Sequence, residues 1–582
     1  MYQSAHPEDR KFLRARFKQL EGEYRYKLNA AKRDGWTGTG EEVTVEQPFG
    51  VHFDVAKAPD RRNFQLTTVR KADGSLTATT EEALQEHLNY NFPIDSYTHS
   101  PSHAQIRNTC RIPPSSNDDP MLTVQEVEAA VKNIRSKKAP GPDGLFGDII
   151  KEAYAAKKVF LTDIFNKWLL QGYFPNRWKE ANLVLFNKTN RDDTSPAAFR
   201  PICLLDALGK FLNRLLTQRI FHHLLKTGRI NQKQFGFTPG RSATEAIVQL
   251  NNWICTARDE GNHSVIICLD VQSSFSRVWW PLVLHNLKVM YCPKKLFGLT
   301  ASFLDNRSIS LQYGENSISK SYTIGCPQGS NSGPLLWLLV INDALEVDFP
   351  TDVRLLAYAE NMYLFIAATG KQTIKSRDTE ALEILNNWSK KARVQFAHEK
   401  TQLFPFGKKG RQKHPPYCSF AGKSIKLARQ MKILGVVLDD GLNGKAHLNS
   451  IGDKIPKILN RLTIAKSNRG LSGRVLKALY KRALERILVY AALAWWTGTV
   501  KQVDKINSIQ RQVLLAITGA FRTTSTAALQ VISGVEPADL VCELEFAVYK
   551  LKHASSNVQY LGVDLQGLSM EKYIPPGFTQ AQ

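Results

Sequence analysis

HSVIICLDV, residues 263–271, is short, almost wholly apolar and rich in β-branched side chains, and Asp270 closes it. That composition predicts a strand buried on both faces. LLAYAENMYLFIAA, residues 355–368, repeats the composition twice, with the two runs separated by Glu360 and Asn361. Two residues are the spacing of a tight β-hairpin, so the pair is expected at its tip. Glu-Asn is a poor turn pair, because Asn-Gly or Asp-Gly supplies positive φ more cheaply. Local turn chemistry therefore does not account for the choice.

The covering elements are legible as helices. Thr123 with Glu126, and Ser242 with Glu245, have capping-box spacing ahead of TVQEVEAAVKNIRSKK and SATEAIVQLNNWICTAR. In the first, Val127, Ala130, Val131 and Ile134 make an apolar stripe, and the Pro- and Gly-dense segment Ala139–Gly144 then reads as a turn. Residues 10–35 read as a basic helix and residues 36–120 as an irregular arm. From about residue 451 the chain is expected to be helical, with fourteen Lys/Arg against three Asp/Glu in residues 451–530. In GRVLKALYKRALERILVY, Leu476, Tyr480, Ala483 and Ile487 fall on one face, and Arg474, Lys477 and Lys481 on another.

At 582 residues the chain exceeds what one hydrophobic core supports, so at least two lobes are expected. Lys plus Arg outnumber Asp plus Glu by 77 to 53, a net +24 that suits a polyanionic partner, with nucleic acid first. The eight cysteines are scattered, without metal-ligand spacing, and read as free thiols of a reducing compartment. No apolar stretch approaches the roughly 18 residues of a membrane span, and the N-terminus lacks the apolar core of a signal peptide. An intracellular protein, nuclear or cytoplasmic, without a membrane partner is expected.

A carboxylate ending a buried strand beside polar groups on a hairpin can hold two Mg²⁺ ions about 3.5–4 Å apart, the geometry of a nucleotidyl-transfer palm. Here the chain resembles the reverse transcriptases of non-LTR (LINE-type) retrotransposons, in particular the arthropod clade that inserts into ribosomal DNA. Eleven collinear pieces carry the likeness. They are KKAPGPDGL (137–145), FPNRWKEANLVLFNK (174–188), FRPICLLDALGKFLNRLL (199–216), FGFTPGRSATEAI (235–247), CLDVQSSFSRVWW (268–280) and GCPQGSNSGPLLW (325–337), followed by AYAEN (357–361), EKTQLF (399–404), LGVVLDDGL (434–442), RVLKALYKRALERILVYAALAWW and QRQVLLAITGAFRTTSTAALQV.

The resemblance implies an α+β right-hand polymerase of fingers, palm and thumb, with a mixed, mainly antiparallel palm sheet and a helical thumb. It divides the chain into a basic extension (1–120), fingers and palm (121–440), thumb (441–545) and tail (546–582). It implies RNA-directed DNA synthesis on an RNA template and DNA primer, with Mg²⁺ and deoxynucleotides. Asp270 matches the aspartate that binds both metals, and Glu360 and Asn361 stand at the remaining metal-ligand positions. Lys400 matches a lysine that protonates the departing pyrophosphate. Phe275, Gln328, Lys188, Arg200 and Lys210 match positions around the incoming nucleotide, and Arg241, Arg474, Lys477 and Lys481 are expected on the template or duplex backbone.

The chain also departs from the family. Tyr-Ala-Asp-Asp is replaced by Tyr358-Ala359-Glu360-Asn361, Ser276 stands where aspartate is usual, and Thr238 and Asn331 are unusual. Metal binding and polymerisation are therefore expected to be weakened. A catalytically inactive RNA or RNA/DNA-binding protein, or a retroelement remnant, is the alternative. Neither an apurinic-type endonuclease nor a Cys/His knuckle is expected in this chain, and the oligomeric state stays open.

Overall fold

The computed structural model describes residues 68–553 except 72, 97–99, 135, 137, 189–193, 409–414 and 468–471, together with residues 16, 18–27, 30, 559–560 and 563–564. Of the expected N-terminal helix, residues 18–27 are helical, and all but two of the others lie outside the described residues. The described residues between Arg61 and Arg429 form one compact unit and those between Gln430 and Glu571 a second.

In the first unit the strands are β1 (Glu180–Asn187), β2 (Phe199–Leu205), β3 (His263–Asp270), β4 (Arg307–Tyr313), β5 (Asn316–Tyr322), β6 (Val353–Tyr358), β7 (Asn361–Ala368) and β8 (Gln402–Phe406). They make two sheets. One has the order β2-β1-β4-β5, and the other runs from the short strand Lys426–Leu427 through β8, β3 and β7 to β6. Only β1 with β4, and Lys426–Leu427 with β8, pair in parallel, so the sheets are mixed and mainly antiparallel, as an α+β palm requires.

β3 lies between β7 and β8, and Val265, Ile266, Ile267 and Leu269 are all fully buried. Fully burying such a side chain contributes roughly 1.5–3 kcal/mol, so these four alone supply on the order of 10 kcal/mol of fixed position to the strand that ends in Asp270. The helix Gly333–Leu345 packs close by with eleven of its thirteen residues buried, which explains its all-round apolarity. Among the described residues no helix is long and apolar enough to cross a membrane. All eight cysteines are free thiols.

The two capping boxes differ. Ser242 and Glu245 cap reciprocally at 3.2 and 2.6 Å. Thr123 caps the Glu126 amide, but the Glu126 carboxylate is drawn away to Arg219 at 2.6 and 2.7 Å. That helix ends at Lys132. The expected irregular arm contains two helices, Thr80–Asn91 and Pro101–Cys110, each begun by a side-chain cap from Thr79 or Ser100.

In the second unit the segment Gly473–Leu488 is helical but not uniformly α: residues Tyr480–Leu484 form a π turn. A π turn adds a residue and rotates everything after it. Leu476, Tyr480 and Ala483 are buried as the stripe predicts, whereas beyond the turn Leu488 is buried and Ile487 is only partly so.

Candidate active site

Asp270 pairs in register with Asn361, so the end of β3 abuts the start of β7. The turn sits one residue earlier than the sequence spacing suggests. Tyr358 pairs with Asn361, leaving Ala359 and Glu360 as the tip and Asn361 as a strand residue. Positive φ falls on Ala359, at 54°, a position an L-residue occupies at a cost of roughly 1–2 kcal/mol.

Neighbouring elements hold that strained tip. Trp337, fully buried, donates its Nε1–H to the Ala359 carbonyl at 2.9 Å. The loop of FGFTPGR runs alongside, with the Phe235 amide donating to the Ala357 carbonyl at 2.9 Å and the Ala357 amide to the Lys233 carbonyl at 3.0 Å. Gly236 is required by this approach, because a Cβ there would lie 1.9 Å from the Ala359 nitrogen. Sequence reasoning located the tip but not Trp337 or Gly236 as its supports. The glycine in an apolar loop was the available signal.

The Asp270 carboxylate, with 16 % side-chain exposure, forms an ion pair with Lys400 through Oδ2. The two segments are laced together by the backbone. The Ala397 amide donates to the Asp270 carbonyl and the Gln272 amide to the Gln395 carbonyl, both at 2.8 Å. Beside Asp270, the Glu360 carbonyl accepts from the Val271 amide at 3.3 Å. Burial, with the Asp270 charge adding to it, pushes the Cys268 thiol up to about 12, so it is inert as a nucleophile at neutral pH.

Mg²⁺ demands near-ideal octahedral oxygen ligation. Asp270 and Glu360 are the carboxylates at this point, Asn361 offers a neutral amide oxygen, and the Lys400 ammonium already sits on one Asp270 oxygen. Among the described residues no group of three or more His, Cys, Asp or Glu is gathered to share an ion. Two carboxylates and one amide oxygen, with Lys400 already on Asp270, supply fewer anionic ligands than a pair of divalent metals calls for, so an ion here would be held weakly.

Phe275 begins the expected nucleotide side of the site, half-buried, with its ring edge-to-face on Phe237 at 5.9 Å. Its carbonyl accepts from the Cys326 amide at 2.8 Å, and the Gln328 carbonyl accepts from the Cys203 amide at 2.6 Å. Gly329, at φ 119°, passes so close to β2 that a Cβ would meet the Cys203 carbonyl at 2.6 Å. The GCPQGS loop thus joins the two sheets, bringing Phe275 and Gln328 to one place.

The basic positions have different surroundings. Arg200 is exposed on β2. The Lys188 ammonium donates to the Ala197 carbonyl at 2.8 Å. Burial lowers the pKa of Lys210, opposed by the nearby charges of Asp206 and Asp143. Arg241 turns its guanidinium inward to the Asn231 and Gln234 carbonyls at 2.5 and 2.6 Å, fixing the loop that supports the hairpin. In the second unit Arg474 is exposed and Lys477 half-buried, while Lys481 is held between Glu485, at 3.0 Å, and Glu536. The pairing carboxylates lie four and fifty-five residues away, so only the nearer was visible in the sequence.

The reverse transcriptase (RNA-dependent DNA polymerase) family profile matches residues 187–438. The Pol polyprotein of the type-1 retrotransposable element R1 of Bradysia coprophila is 29 % identical over 532 residues, covering 90 % of this chain and 51 % of the relative. A putative 115 kDa protein of the type-1 element R1DM of Drosophila melanogaster is 26 % identical, covering 94 % and 52 %. The RNA-directed DNA polymerase of the Drosophila melanogaster mobile element jockey is 30 % identical, covering 69 % and 44 %. The chain spans about half the length of the curated relatives it matches. Proteins with this domain work on a nucleic-acid template and primer and depend on a divalent metal. The chain carries a reverse transcriptase domain of the non-LTR (LINE-type) retrotransposon family.

Proposed function

We propose that this protein extends a DNA primer on an RNA template with deoxynucleotides, and that Glu360 and Asn361 slow the chemistry. The observation that carries the reading is the register of β3 with β7, which sets Asp270 against Asn361 beside a tip containing Glu360. Glutamate keeps the charge of the usual aspartate but reaches about 1 Å further, and a misplacement of that size costs on the order of 10²-fold in rate. Asparagine removes a charge outright. Mg²⁺ is the ion proposed, bound weakly, because the carboxylates are few and Lys400 competes for Asp270. Lys400, Phe275, Gln328, Lys188, Arg200 and Lys210 are proposed around the nucleotide, and Arg241, Arg474, Lys477 and Lys481 along the template and duplex, with the inward-facing members of each set acting through the loops they hold.

Primer extension on an RNA template, with Mg²⁺ or Mn²⁺, tests this. Slow synthesis that disappears in Asp270→Ala is the expected result. Absence of synthesis, with a retained affinity for RNA/DNA duplex, would replace the polymerase by an inactive duplex-binding protein.

A further inference from the structure

A cavity of about 630 Å³ lies beside the candidate site. Helix Pro101–Cys110, the C-terminal turn of helix Lys371–Ala392 and the loop leading to Lys400 bound it. Its lining includes Arg277, Lys390, Arg393, His103 and His398, and no Asp or Glu. With no acid on this wall, the cations that are not paired elsewhere set a positive field.

The wall is firmly placed. His103 meets the Lys390 carbonyl through Nε2 at 3.1 Å and sets its ring edge-on against Trp279 at 5.0 Å. The His398 ring packs on Phe420 at 5.0 Å. Arg393 is committed elsewhere, to Asp95 and to the Ser96 carbonyl and hydroxyl at 2.9 and 2.6 Å. Arg277 and Lys390 remain, and among the described residues neither side chain is engaged in an ion pair or hydrogen bond. Two uncommitted cations match a phosphate dianion, the anion such donors bind through charge-assisted hydrogen bonds. The volume falls within the ~300–1,000 Å³ of small-ligand pockets and exceeds what a bare phosphate fills.

The cavity is not the site of Asp270, but it shares a wall with it. Gln272 lines it two residues after Asp270, and His398 two residues before Lys400. An occupant would touch both of the segments that carry the Asp270–Lys400 pair.

We infer that this cavity binds a phosphate monoester of nucleotide size, with the phosphate held between Arg277 and Lys390. The full chain, free of template, primer and metal, is titrated with adenosine 5′-monophosphate, inorganic phosphate and adenosine, followed by calorimetry. The nucleotide is expected to bind saturably and inorganic phosphate more weakly, with no binding of adenosine. Arg277→Gln and Lys390→Gln are each expected to weaken nucleotide binding at least tenfold without lowering the unfolding midpoint. Lys167→Gln, at an exposed position of the helix Lys158–Gln171, which contributes nothing to the cavity lining, is expected to leave binding unchanged.

Several results would overturn the assignment: no saturable binding, wild-type binding by either variant, equal loss in Lys167→Gln, or adenosine binding as well as the nucleotide. Inorganic phosphate binding as tightly as the nucleotide would refute the nucleotide-sized ligand. Because no polymerisation is measured, a negative result here leaves the polymerase reading standing, and an inactive polymerase leaves this site standing.

Discussion

Ala359 and Gly236 meet at the hairpin tip, and each is constrained for a different reason. Ala359 holds φ 54° against its own Cβ, so Ala359→Gly is expected to raise stability by about 1 kcal/mol in denaturant titration. Gly236→Ala forces a Cβ onto the hairpin backbone and is expected to lower stability by a few kcal/mol and displace Glu360. The sequence exposed Asp270 and its neighbours because charged groups interrupt apolar runs. It concealed the Trp337 contact and the Lys400 pair, which depend on side-chain directions across elements. Asp378 is a third residue-level case, because burial pushes its carboxyl up to about 6, with the Cys418 thiol acting the other way. The folded state then holds more protons than the unfolded state between about pH 4 and 6, so this group's contribution falls as pH rises through that window, by roughly 3 kcal/mol. His87, pushed down to about 4 by burial, has the opposite sign over that range. The measurable quantity is therefore the difference between parent and Asp378→Asn, in which the parent is expected to gain relative stability as pH falls from 7 to 4.5.

Elements were legible where period and caps agreed. The strand β3 and the helix begun by Ser242 lie where the sequence placed them, because burial and capping are local in origin. The arm was misread as irregular because its helices are short and weakly patterned, although Thr79 with Glu82, and Ser100 before Pro101, were start signals. What holds the second of these helices is tertiary. Asp95, with 7 % side-chain exposure, pairs with Arg107 at 2.6 Å and with Arg393, and accepts from Trp279 Nε1 at 3.1 Å. Asp95→Ala leaves two part-buried guanidinium groups uncompensated and is expected to cost about 3–5 kcal/mol, read as a lower midpoint of chemical unfolding. The π turn at Tyr480–Leu484 marks a limit of pattern reading, since one added residue brings Leu488 into the core where strict helical spacing places Ile487.

The whole molecule carries +24, and its affinity for an RNA/DNA duplex is expected to fall steeply with salt. With about six phosphates engaged, the loss is roughly 10³-fold between 50 and 200 mM. Arg474→Gln with Lys477→Gln is expected to reduce the logarithmic salt slope by up to about two, whereas a flat response in the parent would remove nucleic acid as the partner that explains the charge. The central claim concerns the hairpin, and it is tested most directly by the single-turnover rate of one-nucleotide addition to a primer on an RNA template. Restoring Glu360→Asp and Asn361→Asp together is expected to raise that rate by about 10²-fold or more, with Asp270→Ala silencing both backgrounds. Equal rates in the parent and the double variant would contradict the claim that these two residues limit the chemistry.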